Sequence, residues 1–148
     1  VYVERMAREK AAAVPLAGSV VLAADTAVVL DGVILGKPAS KAAAIDTLMT
    51  LGGRTHQVLT AVAVTRDGTV ESLVTTTRVS FIPVDRRLAE SYWATGEGAD
   101  KAGGYGIQGI GGILVQRIEG SYSAVVGLPL PETERLLTRA GIDTWRFR

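Results

Sequence analysis

Two kinds of apolar repeat alternate along the chain. Residues 3–14 mix alanines with charged residues and contain no breaker, which predicts a helix ending before Pro15. Residues 19–30 are valine-rich on both sides of their centre and lack helical periodicity, so a strand buried on both faces is predicted. Asp31-Gly32 signals a hairpin, with 33–35 returning as a short partner strand. Ser40 caps a second helix, whose Ala44, Ile45, Leu48 and Leu51 share one face and which Gly52-Gly53 stops. Strands at 55–65 and 70–82 flank a second hairpin signal, Asp67-Gly68. Asp85 caps a helix over 86–95, closed by Gly96, and Pro131 starts a last helix running through Leu136 and Leu137 to Gly141. Between them, residues 102–112 hold six glycines in eleven positions and read as a loop, followed by a strand at 113–118. Hairpins mixed with crossovers argue for an α/β (α+β) fold with a mixed sheet flanked by helices. No repeat or linker divides residues 1–148, which read as a single domain.

Composition narrows the function classes. At 148 residues with 47% hydrophobic and 21% charged positions, the chain is long and apolar enough to bury a core, and disorder is excluded. Without cysteine there is no disulfide, thiolate zinc site, iron–sulfur cluster or thiol nucleophile, and one histidine excludes a multi-histidine metal site. A net charge of +1 gives no broad basic field, so no nucleic-acid polymer is expected as partner, though a local basic pocket stays possible. The apolar stretch 20–35 is interrupted by Asp25 and Asp31 and does not read as a membrane span. A cytoplasmic location is expected.

Candidate chemistry concentrates at three places. Asp25 sits in the middle of a valine-rich strand, where an unpaired carboxylate costs several kcal/mol. Its compensation is a cation, a metal, a cleft position, or a nearby backbone or Lys/Arg group. Thr26 places a hydroxyl on the opposite face of the pleat. Lys37, between Gly36 and Pro38, is either a point charge suited to phosphate or an exposed loop lysine. The segment from Asp100 and Lys101 to Gly109 is either an anion cradle of exposed N–H groups or a structural turn cluster with a solvated lysine. Its lysine precedes the glycines, so it is not a Walker loop. Gln108 carries a donor and an acceptor and can read a nucleobase edge or tie down its own loop. His56 has no second histidine or nucleophile as partner and reads as structural, Tyr92 and Trp93 as packing residues, and Ser121 lacks a nucleophile-elbow pattern.

In chain order these segments resemble the Maf-like nucleoside triphosphate pyrophosphatases. The matching motifs are Tyr2-Val3-Glu4-Arg5-Met6-Ala7-Arg8-Glu9-Lys10-Ala11, Ala24-Asp25-Thr26, Gly36-Lys37-Pro38 and Gly53-Arg54-Thr55-His56-Gln57-Val58. They continue with Tyr92, the Asp100-Lys101-Ala102-Gly103-Gly104-Tyr105-Gly106-Ile107-Gln108-Gly109 loop, Gly120-Ser121-Tyr122 and Val125-Val126-Gly127-Leu128-Pro129-Leu130. The form of the loop is similar to the dTTP and UTP branch and differs from the 7-methyl-GTP branch. The resemblance implies a strongly twisted sheet of the inosine-triphosphate-pyrophosphatase-like kind. It also implies hydrolysis of a nucleoside triphosphate to monophosphate and pyrophosphate, a divalent cation (Mg2+ or Mn2+) and a homodimer. It assigns Asp25 as catalytic acceptor, Lys10, Lys37 and Lys101 to the phosphates, and Thr26 and Gln108 to substrate selectivity. The family's Ser-x-Ser-Pro-Arg-Arg loop and following acidic segment are not in this sequence, which starts at Val1, so an N-terminally incomplete domain is expected. The alternative is a nucleotide-binding regulator of septum formation without turnover.

Overall fold

The computed structural model describes residues 2–14 and 18–147. Pro15, predicted to end the first helix, and Val1 lie outside the described residues. The described residues form five helices: α1 (Tyr2–Ala12), α2 (Lys41–Leu51), α3 (Arg86–Ala94), α4 (Tyr122–Val126) and α5 (Leu130–Arg139). Five strands, β1 (Val20–Leu30), β2 (Val33–Leu35), β3 (Thr55–Arg66), β4 (Thr69–Phe81) and β5 (Val115–Glu119), hydrogen-bond in the order β2-β1-β3-β4-β5. The α/β fold class is as expected, a sheet flanked by helices. Pairing is antiparallel for β1–β2 and β4–β5, with Leu30 opposite Val33 and Val79 opposite Ile118. The two-residue connection Asp67-Gly68 places β3 and β4 as a hairpin as well. Both predicted hairpin turns have positive φ at each central residue, 50° and 77° at Asp31-Gly32 and 50° and 80° at Asp67-Gly68. That is the type I′ geometry, whose twist matches the strands it joins.

The packing divides the chain into two compact units. One holds the described residues of Val1–Thr26, Leu59–Thr75 and Ser123–Arg148. In it Val3, Ala7 and Ala11 line the buried face of α1. Val62, Val64 and Leu136 form a core cluster against Val20, Leu73, Leu128 and Leu137. The other unit holds Ala27–Val58 and Thr76–Tyr122. Here α2 buries Ala44, Ile45, Leu48 and Leu51, the four residues its spacing predicted. Its N-cap works as the sequence requires: the Ser40 hydroxyl accepts from Ala43 N–H at 3.1 Å. Asp85 does the same for α3, accepting from Leu88 N–H at 2.8 Å. An aromatic cluster completes this core, with His56, Phe81 and Tyr105 meeting edge-to-face at centroid distances of 4.7–5.5 Å.

Three expectations need correction. The first strand is not buried on both faces throughout: Leu22 is exposed and full burial is confined to Ala27, Val28 and Leu30. The glycine-rich segment is not wholly loop, since 3₁₀ turns form at Ala102–Gly104 and Ile110–Leu114. The second of these delays the following strand to Val115, because a 3₁₀ turn uses the backbone groups that a ladder would need. Helix α4 and a 3₁₀ turn at Thr144–Phe147 carry no periodic signal and were not legible.

Candidate active site

In the first unit, Asp25 finds its counter-charge. Lys10 Nζ, from the last turn of α1, stands 2.6 Å from Asp25 Oδ1 and 3.4 Å from the Ala24 carbonyl. The aspartate side chain is 17% exposed, so it is neither dry nor freely solvated. Thr26, on the other face of the pleat, meets Thr60 of β3, with 3.1 Å between the two hydroxyl oxygens. Thr60 is fully buried and donates its proton to the Ala124 carbonyl at 2.6 Å. The Thr26 hydroxyl therefore donates to Thr60, which leaves its own oxygen as an acceptor. Thr60 is a residue that sequence reasoning missed, because the contact joins positions 34 apart through strand pairing.

In the second unit, Lys37 and Lys101 occupy neighbouring loops. Gly103 N–H donates to the Gly36 carbonyl at 3.1 Å, which ties the segment before Lys37 to the turn after Lys101. Gly103 adopts φ 72° and packs against β1, where a Cβ would come within 3.1 Å of the Val28 methyls. That close approach is the reason for glycine there. Lys37 is exposed and forms no hydrogen bond or ion pair among the described residues. Lys101 has one long contact, 3.5 Å to Asp100.

The remainder of the glycine-rich loop is held by a residue outside the predicted set. Glu97, just past the Gly96 helix stop, accepts from the Ile110 N–H and from the Gly111 N–H, each at 2.8 Å. It also accepts from the Tyr92 hydroxyl at 2.7 Å, and that hydroxyl accepts from Gly106 N–H at 3.0 Å. The Tyr92 hydrogen bond, then the backbone donors, hold the Glu97 carboxyl below its ordinary range. Burial first, and then the bond to Glu97, pushes the Tyr92 phenol up. Tyr92 is buried as predicted, but its hydroxyl has a role that packing periodicity does not reveal. Gln108, exposed, makes no hydrogen bond among the described residues. It does not tie down its own loop.

His56, read from the sequence as structural, is buried in the second unit, and its Nδ1 has no hydrogen-bond partner among the described residues. It is 1% exposed, its Nε2 lies 2.7 Å from the Tyr105 hydroxyl, and burial lowers its pKa to about 4. Among the described residues no group of three or more His, Asp or Glu is placed to hold a metal ion. Asp25 offers one carboxylate. Mg2+ is usually held by one or two carboxylates together with substrate phosphates, so this donor set fits a cation that arrives with a triphosphate. No helix among the described residues is long and apolar enough to cross a membrane.

An α/β scaffold that carries a lysine beside a strand aspartate in one unit, and a glycine-rich loop with a lysine in the other, has the equipment of a class that handles phosphorylated ligands. The chain belongs to the Maf family, whose model, Maf-like protein, matches residues 1–140. It is 53% identical over 150 residues to a dTTP/UTP pyrophosphatase of Alcanivorax borkumensis, covering 99% of this chain and 77% of the relative. It is also 53% identical over 146 residues to a dTTP/UTP pyrophosphatase of Methylobacillus flagellatus, covering 95% of this chain and 73% of the relative. A Vibrio cholerae protein of the same name is 52% identical over 139 residues, covering 92% and 74%.

Proposed function

We propose that this chain is a cytoplasmic nucleoside triphosphate pyrophosphatase that converts dTTP and UTP to the monophosphate and pyrophosphate, acting as one Maf-like domain and as a homodimer. The observation that carries the reading is the 53% identity, across 99% of the chain, to a relative named dTTP/UTP pyrophosphatase. The geometry supports it with a strand carboxylate beside an ammonium, two loop lysines weakly engaged among the described residues, and a glutamine amide that makes no hydrogen bond among them.

Water attacks the α-phosphorus, the bond to the β-phosphate oxygen breaks, and pyrophosphate leaves. Asp25 takes the proton of the attacking water, or orients that water, as general bases in hydrolysis do. Lys10 offsets the charge of that carboxylate, and with Lys37 and Lys101 it receives the phosphates as point charges. A divalent cation, Mg2+ or Mn2+, held by Asp25 together with the phosphates, would supply neutralisation of the leaving-group charge. Thr26 contributes to selectivity through its acceptor oxygen. Gln108 accepts from N3–H and donates to a carbonyl of uracil or thymine, an edge that cytosine lacks.

The test is pyrophosphate release from dTTP and UTP, with and without magnesium, by the wild type and by Asp25→Asn. Turnover that falls at least tenfold in the near-isosteric variant, with an unchanged thermal melt, is expected. Retention of more than about a tenth of kcat, a loss under about 1.4 kcal/mol, would remove Asp25 from the acceptor role. Tight nucleotide binding without any turnover in the wild type would overturn the enzyme reading.

A further inference from the structure

The hydrogen bonds of Glu97 and Tyr92 bracket Gln108 in the chain. Gly106 is held on one side, Ile110 and Gly111 on the other, and Gln108 lies between them with its amide making no hydrogen bond among the described residues. Close packing within the loop accounts for three of its glycines. A Cβ on Gly109 would overlap Glu97 Oε2, and one on Gly111 would overlap the Gly106 carbonyl oxygen first and lie 2.9 Å from the Tyr92 hydroxyl. A Cβ on Gly106 would press into the Lys101 stem, 2.7 Å from Cε. Because three donors converge on one carboxylate, only a charged acceptor with two oxygens satisfies all of them.

We propose that Glu97 is a positioning residue for base selection: by clamping residues 106–111 through its carboxylate and the Tyr92 hydroxyl, it fixes the backbone from which Gln108 presents its amide. The proposal rests on the reading of Gln108 as the group that meets the base. Glu97→Gln is the informative substitution. It keeps size and shape but replaces one acceptor oxygen with an amide nitrogen, whose hydrogens oppose an N–H or O–H donor. The clamp then loses at least one of its bonds while the surrounding packing is kept.

Two measurements decide it. Amide hydrogen exchange reads the clamp directly: Ile110 or Gly111, whose N–H groups Glu97 accepts, is expected to exchange at least tenfold faster in Glu97→Gln, and unchanged exchange at both overturns the proposal. The ratio of kcat/KM for UTP over CTP reads the consequence. It is expected to narrow about tenfold in Glu97→Gln, to narrow in Gln108→Ala, and to narrow no further in the double variant, because the two residues act as one unit. If Gln108→Ala narrows the ratio but Glu97→Gln lowers both nucleotides equally, Glu97 is merely structural and the proposal fails alone. If Gln108→Ala leaves the ratio unchanged, the base-reading role itself fails. Tyr92→Phe, which removes only the hydroxyl, replaces Glu97→Gln if that variant does not fold: faster exchange is then expected at Gly106, whose acceptor is lost, with the same narrowing of the ratio.

Discussion

A carboxylate in the middle of an apolar strand is a residue-scale problem, and Lys10 answers it from α1 across 2.6 Å. Pairing of this kind is of modest worth at a half-solvated site, where lysine entropy and water screening oppose it. Its consequence is chemical more than energetic: an ammonium and a carboxylate are presented together. Lys37 and Lys101 contrast with it, since one makes no contact among the described residues and the other a single contact of 3.5 Å. Lys37→Ala and Lys101→Ala are therefore expected to change stability by less than about 0.5 kcal/mol, as surface substitutions do. Each is expected to lower kcat/KM for UTP by roughly 1.5–3 kcal/mol, the loss of a charged hydrogen bond to phosphate. Steady-state kinetics beside a thermal melt checks both halves, and unchanged kinetics in both variants makes them solvated loop lysines. Asp25, Lys37, Lys101 and Gln108 were legible because each breaks a local pattern: a charge in an apolar run, or a polar residue among glycines. Glu97 was not, since an acidic residue after a helix stop is ordinary, and its backbone partners lie 13 and 14 positions away.

At the scale of elements, the caps and turns behave as local rules demand. Ser40, Asp85 and the two Asp-Gly turns each satisfy backbone groups within four residues, so neighbouring sequence suffices to place them. Gly52 obeys a longer-range constraint. Its φ of −55° suits any residue, yet a Cβ would lie 2.6 Å from Val84 N and 2.8 Å from Val84 Cβ. Gly52→Ala is expected to destabilise by about 1–3 kcal/mol, because a backbone segment must shift to admit the methyl. Gly36→Ala is the control, with open space at the new Cβ and no positive φ, and is expected to stay within about 0.5 kcal/mol. Denaturant midpoints at constant slope distinguish them. Equal midpoints for the two variants would mean that the chain near Val84 yields freely. Sequence alone reads Gly52 as a helix stop. That it is also a contact surface depends on what packs against it.

For the molecule as a whole, acid is the condition that exposes its buried polar design. His56 is neutral in the folded state, with its pKa lowered by burial from 6.5 to about 4. Below pH 6.5 the unfolded chain takes up a proton that the folded chain refuses until about pH 4, so stability falls across that window, by roughly 3 kcal/mol. Glu97 acts in the same direction: the Tyr92 hydrogen bond holds its carboxyl below the ordinary carboxylate range, so the stability it contributes is lost as pH drops through its folded-state value. Unfolding free energies between pH 7 and pH 4.5 are expected to decline in the wild type and to flatten in His56→Gln. An identical slope in the variant would mean that other groups carry the acid response. His56 is also where sequence and tertiary structure divide their roles. The alternation of β3 places it on the inward face, but the Tyr105 hydroxyl 2.7 Å away comes from 49 positions along the chain. The sequence by itself determined the order and kind of most elements, the two hairpins, the helix caps and the membership of the family, because periodicity, turn chemistry and motif order are local or linear properties. Only the tertiary structure decided that Lys10 compensates Asp25, that Thr60 orients Thr26, and that Glu97, not Gln108, holds the glycine-rich loop. Those are choices among partners far apart in the chain, and they are made by which backbone donors and charges folding brings within hydrogen-bond reach.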